Sequence, residues 1–474
     1  MKRFRKQPGN ALLAAMLAVV TLLGGSFFAP SSSADGGGAP TGGELTVPAV
    51  KIIDTKLSNG LRVLLVVDHT APVYAIDVCY NVGSRNERPG RTGFAHLFEH
   101  MMFEGSENVG KGEHFILIFN NGGEMNGTTN EDRTTYFEEL PTNQLDLGLF
   151  LESDRMKSLT ITKEKLDNQR NAVQEERRLG IDNEPYGKAE LDLDNLSYDN
   201  YAYKHSTIGS MSDLDAASVD DVSDFFRIYY APNNAVLTLV GDLDPDATLE
   251  KVKKYFGGIA SQTVPAGPDL SEEEHYGERR ETIYDQLARL PQVFMAYHIP
   301  RGNTSESRAA RALSLVLGQG RSSRFYQHLV KDKQLAIQIG AFADSRIGPS
   351  LLYINAVPRP GVKVEDLEKG IDEEIAAVVK DGVTPQEVTK TKAFLRRQWI
   401  QTRSSDLRMA VSLGDFAVKF NDPNLINTLG ASYDALTVDE VNAAAKKYFE
   451  RDQRSIVITL PGKSEAGAAK GGAQ

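Results

Sequence analysis

The amino-acid sequence predicts an α+β fold of two homologous domains, each a mostly antiparallel sheet packed with helices. The chain has 474 residues, too many for one ordinary domain, because about 150 residues per domain is typical. Its residues are 41% hydrophobic and 25% charged, a globular balance that allows a large core. Strand and helix patterns interleave without strict alternation, and one segment occurs twice, so we expect two related α+β units.

The first 34 residues have the order of a signal peptide. A basic start is followed by an uncharged apolar run at 11–23 and by small residues at 32–34. This order predicts cleavage after Ala34 and a periplasmic or secreted protein. The apolar run is short beside the ~20 residues of a membrane span, and an uncleaved N-terminal anchor is the alternative. No later segment is long and apolar enough to be a transmembrane span.

Composition divides the rest of the chain. The Gly-rich residues 35–46 and the Gly-, Ala- and Lys-rich residues 463–474 are predicted to be a flexible linker and a disordered tail. Residues 261–274 (SQTVPAGPDLSEEE) combine Pro, Gly and acidic residues, as is typical of an interdomain linker. We therefore expect an N-terminal domain at 47–260 and a homologous C-terminal domain at 275–462.

A repeated segment lies near the end of each domain. The first copy, SVDDVSDFFRIYYAPNNAVLTLVG, begins at Ser218, and the second, TVDEVNAAAKKYFERDQRSIVITLPG, begins at Thr437. Matching residues are 219 positions apart. Both copies predict a Ser or Thr N-cap, a helix, an aromatic pair, a turn and an apolar strand. The repeat indicates a duplicated domain, and convergence on a common helix–turn–strand motif is the alternative.

Hydrophobic periodicity predicts further elements. Segments 61–69, 73–83 and 235–243 are apolar runs bounded by turn residues, and we expect strands there. Segments 364–382 and 384–404 are amphipathic at helical spacing, with a Gly or Pro break between them, and we expect two helices.

The segment GFAHLFEHMMFEG contains the candidate metal-binding and catalytic residues. It predicts a helix that is apolar nearly all round and therefore buried. His96 and His100 are four residues apart, so both point from one face of that helix. The spacing suits two nitrogen ligands of one Zn²⁺. Glu99 can reach a water on the metal without being a ligand, and the motif is that of a zinc protease in inverted order. The alternative is that both are core histidines whose hydrogen bonds are satisfied within the protein.

A catalytic zinc usually has three protein ligands, and residues 164–180 contain a candidate for the third. This segment predicts a helix on which one face combines Leu166, Gln169, Val173 and Glu176. Glu175 points the other way, so Glu176 is the better ligand and Glu175 the better solvated charge. Arg177 lies near the same face, and the residues alone leave open that Glu176 forms a surface ion pair.

The sequence resembles the pitrilysin/insulinase family of inverted-motif zinc metallopeptidases from about residue 47 to 462. Within that family it is similar to the zinc-binding subunit of mitochondrial processing peptidase and its bacterial two-domain relatives. The segments that show the resemblance are GFAHLFEHMMFEGSENVG, GGEMNGTTNEDRTTYFEELP, NQRNAVQEERR, APNNAVLTLVGD and GQGRSSRFYQHLV. The resemblance implies a duplicated half-clamshell, zinc held by His96, His100 and Glu176, and Glu99 as the general base.

The resemblance also implies a peptide-binding edge strand. The segment GGEMNGTT places Asn126, Gly127 and Thr128 at its substrate-binding positions. Many relatives have a second glutamate seven residues before the zinc-binding one, beside the metal ligands. Gln169 stands at that position, and this departure affects the support of the zinc site but not its ligand set.

The second domain departs from the family at two positions. Complete members supply an Arg and, seven residues later, a Tyr that bind substrate and stabilise the oxyanion. Val330 and Ile337 stand at these positions, and neither side chain can donate a hydrogen bond. The resemblance therefore implies a heterodimer in which a homologous subunit provides the Arg/Tyr pair, and a homodimer is the alternative.

Two classes of function remain. The first is a zinc endopeptidase subunit that hydrolyses peptides or unfolded segments, and the second is a non-catalytic scaffold subunit of the same fold. The net charge of −11, or −15 after loss of the basic start, excludes a nucleic-acid binder that depends on a basic face. Cys79 is the single cysteine, so an intramolecular disulfide and a thiolate cluster are excluded.

Overall fold

The computed structural model describes residues 47–273 and 277–462. The predicted signal peptide, the first linker and the C-terminal tail lie outside the described residues. The first half of the chain, up to residue 260, and the second half, from residue 277, each form one sheet with helices. Within the described ranges, no helix combines the length and the apolar character that crossing a bilayer requires.

The sheet of the first half, sheet 1, has six strands in the order β1-β2-β6-β3-β5-β4. They are β1 (Ile53–Lys56), β2 (Arg62–Val67), β3 (Val73–Tyr80), β4 (Glu124–Thr129), β5 (Thr134–Pro141) and β6 (Ala235–Gly241). β2 and β6 are parallel, and every other neighbouring pair is antiparallel. The strand β4 therefore lies at one edge of sheet 1.

The sheet of the second half, sheet 2, has five strands in the order β7-β11-β8-β10-β9. They are β7 (Arg279–Asp285), β8 (Gln292–Ile299), β9 (Ala336–Ala343), β10 (Ser350–Pro358) and β11 (Arg454–Pro461). Only β7 and β11 are parallel. The mostly antiparallel α+β architecture predicted from the sequence is confirmed.

Helices cover both sheets. In the first half they are α1 (Phe94–Met101), α2 (Glu113–Asn120), α3 (Leu145–Ser158), α4 (Lys163–Arg177), α5 (Gly187–Ser197), α6 (Tyr201–Lys204), α7 (Met211–Asp215), α8 (Val219–Tyr229) and α9 (Pro245–Phe256). In the second half they are α10 (Ser305–Gly318), α11 (Val364–Asp381), α12 (Pro385–Arg403), α13 (Asp406–Phe420), α14 (Leu425–Asp434) and α15 (Val438–Tyr448).

The two halves have the same strand layout, which confirms the duplication. Without β1, sheet 1 reads β2-β6-β3-β5-β4, and sheet 2 reads β7-β11-β8-β10-β9, so the first strand pairs in parallel with the last strand in both. The repeated helices α8 and α15 both begin with a capping box, formed by Ser218 with Asp221 and by Thr437 with Glu440. This reciprocal pairing satisfies backbone N–H groups that would otherwise have no partner at a helix start.

Each half contributes one helix to the sheet of the other. The helix α5, from the first half, packs on β7, β8 and β11, where Leu193 joins an apolar cluster with Ala296 and Val457. The helix α13, from the second half, packs on β3, β5 and β6. A Cβ at Gly414 of α13 would meet Oδ2 of Asp77 at 2.1 Å, so the helix backbone lies directly against sheet 1.

This contact buries one carboxyl group. Asp77 on β3 is 0% exposed, and its Oδ1 accepts a hydrogen bond from the hydroxyl of Thr135. Burial raises the pKa of Asp77 to about 8, against the opposing effects of Thr135 and Arg133. Its neighbour Cys79 is likewise 0% exposed.

Asp77→Asn is expected to flatten the pH dependence of stability. The folded pKa lies above the unfolded value of about 3.9, so the protonated form favours folding. This contribution is complete below about pH 4 and is lost as the pH rises towards 8. Between pH 5 and 8 the wild type should lose up to ~4 kcal/mol of unfolding free energy that the variant keeps. Denaturant unfolding at both pH values measures the difference. The exposed Asp246→Asn is the control, and equal slopes for Asp77→Asn and the wild type would contradict the prediction.

Candidate metal centre

The helix α1 is anchored at its N-terminus by a buried carboxylate. Gly93 precedes the helix with a φ of 84°, a left-handed conformation that favours glycine. Oε2 of Glu87 accepts the backbone N–H of Gly93, and Oε1 accepts that of Ala95, both at 2.8 Å. Nε2 of His205 lies 3.0 Å from Glu87 Oε2. A negative charge at a helix start is favourable, so these contacts fix the helix that follows.

Two imidazoles and one carboxylate meet between α1 and α4. Nε2 of His96 lies 3.7 Å from Oε1 of Glu176, and Nε2 of His100 lies 3.4 Å from Oε2. All three candidate ligand atoms lie within 4.8 Å of one another. Two ligands of a tetrahedral Zn²⁺ at 2.0–2.1 Å are separated by ~3.4 Å. The donor set and its spacing therefore fit a zinc ion with a fourth position open.

The surroundings of these side chains shift their protonation equilibria. Burial lowers the pKa of His96, and the neighbouring His100 lowers it further. Burial also disfavours the charged form of His100, but its hydrogen bond to Glu176 and the nearby carboxylates raise its pKa overall. The two histidines hold the pKa of Glu176 below its usual range despite burial. The three groups therefore act as one electrostatic unit.

Glu175 and Arg177, the residues next to Glu176 in the sequence, have other partners. Leu166, Gln169 and Val173 are buried on the face that was predicted to include Glu176. Glu175 is exposed and pairs with Arg178 at 3.1 Å, and Arg177 donates to the carbonyl of Gly209. The exposed ion pair on this helix is therefore formed by Glu175, whereas Glu176 lies beside His96 and His100.

Glu99 lies on α1, and its side chain reaches the edge strand β4. Its Oε2 accepts a hydrogen bond from the hydroxyl of Thr129 at 2.6 Å. A Cβ at Gly127 would lie 3.2 Å from Cγ and 3.4 Å from Oε1 of Glu99. Any side chain at position 127 would therefore crowd the carboxylate, and glycine keeps the approach to Oε1 open.

The three residues predicted to bind substrate all lie on β4. The N–H of Gly127 is donated to Oδ1 of Asn126 at 2.9 Å. The carbonyl and hydroxyl of Thr128 both accept hydrogen bonds from Arg133. Because Asn130 pairs with Arg133 at the turn, the antiparallel alternation directs the backbone groups of Gly127 and Thr129 away from β5. These groups face the free edge of sheet 1.

Gln169 contacts the buried carboxylate of Glu104. Its Nε2 donates to Oε1 of Glu104 at 2.5 Å, and its side chain lies beside His100. Glu104 is 3% exposed and pairs with Lys111 at 3.0 Å. Positions 96, 100 and 104 follow one another at intervals of four, and this spacing is the sequence signal that could have indicated Glu104.

A second group of ligand-type side chains lies deeper in the first half. His114 is buried within reach of Glu138 and Glu152. Burial lowers the pKa of His114 to about 3. Nε of Arg155 donates to Glu152 at 2.9 Å, so Glu152 already has a cation as its partner. The side chain of Arg155 is itself buried in this cluster, and a divalent ion there would lie against its guanidinium group.

Comparison with known proteins assigns the family. Residues 62–210 match Insulinase (Peptidase family M16), and residues 216–395 match the Peptidase M16 inactive domain. The zinc protease PqqE of Helicobacter pylori is 31% identical over 409 residues, which are 85% of this chain and 92% of that protein. The chain belongs to the M16 peptidase family.

Solved structures share the M16 fold with this chain. The crystal structure of a protease from Helicobacter pylori has a TM-score of 0.83 at 30% identity and covers 87% of this chain and 100% of its own. The first half of the periplasmic protease PqqL from Escherichia coli has a TM-score of 0.71 at 20% identity, over 90% of this chain and 94% of that one. This chain corresponds to 49% of the whole PqqL protein.

The second half has no counterpart of the His96 and His100 pair on the helix that corresponds to α1. Its helix α10, which follows β8 as α1 follows β3, contains no histidine. Val330 is partly buried against the second core, whereas Ile337 lies on the edge strand β9 and is 50% exposed. Neither apolar side chain provides a hydrogen-bond donor at the positions where Arg and Tyr were expected.

Proposed function

We propose that this chain is the zinc-binding subunit of an endopeptidase that hydrolyses peptides or unfolded protein segments. The observation on which this proposal rests is the meeting of His96, His100 and Glu176 beside the carboxylate of Glu99 at an edge strand. Membership in the M16 family and relatives named as zinc proteases support it.

Each side chain has a distinct task in this proposal. His96, His100 and Glu176 would hold Zn²⁺, and Glu99 would serve as the base. Bound there, Zn²⁺ would polarise the scissile carbonyl and lower the pKa of a coordinated water. Because Thr129 occupies Oε2 of Glu99, the proton would be taken on Oε1 and later returned to the leaving amine.

The substrate would bind as an added strand. The free edge of β4 presents backbone groups of Gly127 and Thr129 next to Glu99. A peptide paired with this edge would place its own backbone beside the metal ligands, and affinity would depend on main-chain hydrogen bonds more than on side chains. Asn126 would have to release the N–H of Gly127 for this pairing, which makes it a substrate-responsive residue.

Full activity is expected only with a homologous partner that provides an Arg/Tyr pair. Loss of an oxyanion donor typically costs ~10²–10³-fold in rate, and Val330 and Ile337 provide none. Adding such a subunit to the purified chain should therefore raise cleavage of a peptide library by a factor of this size. Full activity of the chain alone, with no increase on adding the partner, would contradict the heterodimer and favour a homodimer. No cleavage in any mixture would favour the scaffold alternative.

Export is expected to remove the N-terminus. The basic, apolar and small segments up to residue 34 predict cleavage after Ala34, and the protein PqqL, which shares the fold, is described as periplasmic. N-terminal sequencing of the protein from its native host should begin at Asp35. A native protein that begins at Met1 would contradict both the cleavage and the periplasmic or secreted location.

A further inference from the structure

We propose that Asp132 and Arg133, in the turn between β4 and β5, are positioning residues through which the second half of the chain holds the peptide-binding edge of β4 in place. This inference rests on the proposed function. It gives a task in peptide binding to the half whose helix α10 contains no histidine. Both residues would act on the peptide indirectly, through the backbone of β4.

The turn lies directly beyond the free edge of β4. Asn130 donates its backbone N–H to the carbonyl of Arg133 at 3.0 Å, so the hairpin closes one residue after Thr129. Oδ1 of Asn130 also accepts the backbone N–H groups of Asp132 and Arg133, at 2.8 and 2.9 Å. These bonds make the turn one tightly bonded unit, and a displacement of this unit would move Gly127 and Thr129 with it.

This turn meets its counterpart in the second half. In the two equivalent sheets the hairpin β4–β5 corresponds to the hairpin β9–β10, in which residues 344–349 connect the strands. Oδ2 of Asp132 accepts the backbone N–H of Ile347 from this connection at 2.8 Å. Oδ1 of Asp132 accepts the hydroxyl of Tyr203 at 2.8 Å, and that hydroxyl oxygen accepts the N–H of Gly348 at 2.9 Å. Two successive N–H groups of the second half are therefore tied to one carboxylate of the turn, one directly and one through Tyr203.

The carboxylate of Asp132 is enclosed by the protein. Asp132 is 1% exposed, and Nη1 of Arg85 donates to its Oδ1 at 3.0 Å, so the buried charge has a cation as a partner. Leaving a buried charged group without its partners is costly, and this cost keeps the turn docked on the second half. The neighbouring Glu131 adds to the contact, because its Oε1 lies 3.7 Å from Nη2 of Arg346.

Arg133 extends the connection to the strand itself. Its Nη1 donates to both the carbonyl and the hydroxyl of Thr128, at 2.8 and 2.6 Å. Its Nε donates to Oδ1 of Asp415 on α13 at 3.4 Å. Thr128 lies between Gly127 and Thr129, the two residues whose backbone groups face the free edge. One guanidinium group therefore links the centre of the peptide-binding edge to a helix of the second half.

The test is cleavage of a fluorogenic peptide by the full mature chain, in the mixture that shows full activity, with KM, kcat and zinc affinity measured separately. A change at the buried Asp132 would endanger the fold, so the variants are Arg133→Gln and Asp415→Asn, whose native side chains are 13% and 22% exposed. Each should raise KM by ~10-fold, the effect of losing a hydrogen bond between charged groups. Neither should alter kcat or zinc affinity, because a raised KM at constant kcat reports lost binding alone. Asp439→Asn, at an exposed position of α15, is the control.

A double-mutant cycle separates positioning from a general weakening of the fold. Because Arg133 and Asp415 act through one bridge, the double variant should raise KM no further than Arg133→Gln alone. Effects that multiply, or an unchanged KM in both single variants, would overturn this inference alone. Loss of zinc together with a fall in kcat in Asp415→Asn would also overturn it, by assigning the bridge to overall stability. A wild-type chain that cleaves no peptide in any mixture would overturn the proposed function as well.

Discussion

Glu99→Gln is expected to abolish peptide cleavage and to leave about one Zn²⁺ bound per chain. A positioned general base typically contributes ~10²–10⁴-fold to the rate, and glutamine cannot take a proton at neutral pH. The substituted side chain can still accept the hydrogen bond from Thr129, so the packing between α1 and β4 is preserved. Cleavage of a peptide library, with metal content measured on the same sample, tests both expectations.

Glu175→Gln is the matched control for this change. Glu175 is exposed on α4 and pairs with Arg178, so the same chemical substitution there should leave cleavage and zinc content unaltered. Cleavage by Glu99→Gln at the wild-type rate, in the partnered form that shows full activity, would remove Glu99 from the mechanism. Loss of zinc in that variant would instead assign Glu99 to the metal ligands.

Glu176→Ala is expected to lose zinc, and His100→Ala likewise. Each substitution removes one of three ligand atoms that lie within 4.8 Å of one another, and two remaining ligands hold Zn²⁺ poorly. The loss in affinity should exceed the ~10–100-fold that is typical for a group that only supports a ligand. Elemental analysis and chelator competition on the purified variants measure it.

Glu175→Ala is the control for the third ligand, because it differs from Glu176→Ala by one position on the same helix. It should retain zinc. Full zinc occupancy in Glu176→Ala with unchanged cleavage would exclude Glu176 as a ligand, and equal losses in both variants would point to disruption of α4 instead of loss of a ligand.

Local pattern predicted the elements of the fold well. The predicted helix at 164–180 is observed as α4, Lys163–Arg177, followed by a π-helical turn, Arg178–Asp182. The predicted strands correspond to β2, β3 and β6. Pattern could not show that α5 and α13 are exchanged between the sheets. Amphipathicity identifies which face of a helix is apolar, but many sheet faces can cover it.

For the candidate site, spacing within one helix was enough to bring His96 and His100 together. Glu176 needed both its helix face and the family resemblance, because a charged residue near an apolar face is also typical of a surface pair. Glu87 and Glu104 were missed. The contact between Glu104 and Gln169 joins positions 65 apart in sequence, and the contacts of Glu87 with Gly93 and Ala95 form at a helix start, outside any periodic pattern.

Because α13 comes late in the chain, sheet 1 can be fully covered only after most of the protein has been synthesised. One face of sheet 1, including Asp77 and Cys79, is covered by α13, and α13 is translated long after the last strand of that sheet. Until residue 420 is available, the N-terminal half presents an uncovered strand surface to solvent and to other chains. We therefore expect the two homologous halves to fold as one cooperative unit, and we expect a chain truncated within the interdomain segment to need its missing helix supplied in trans.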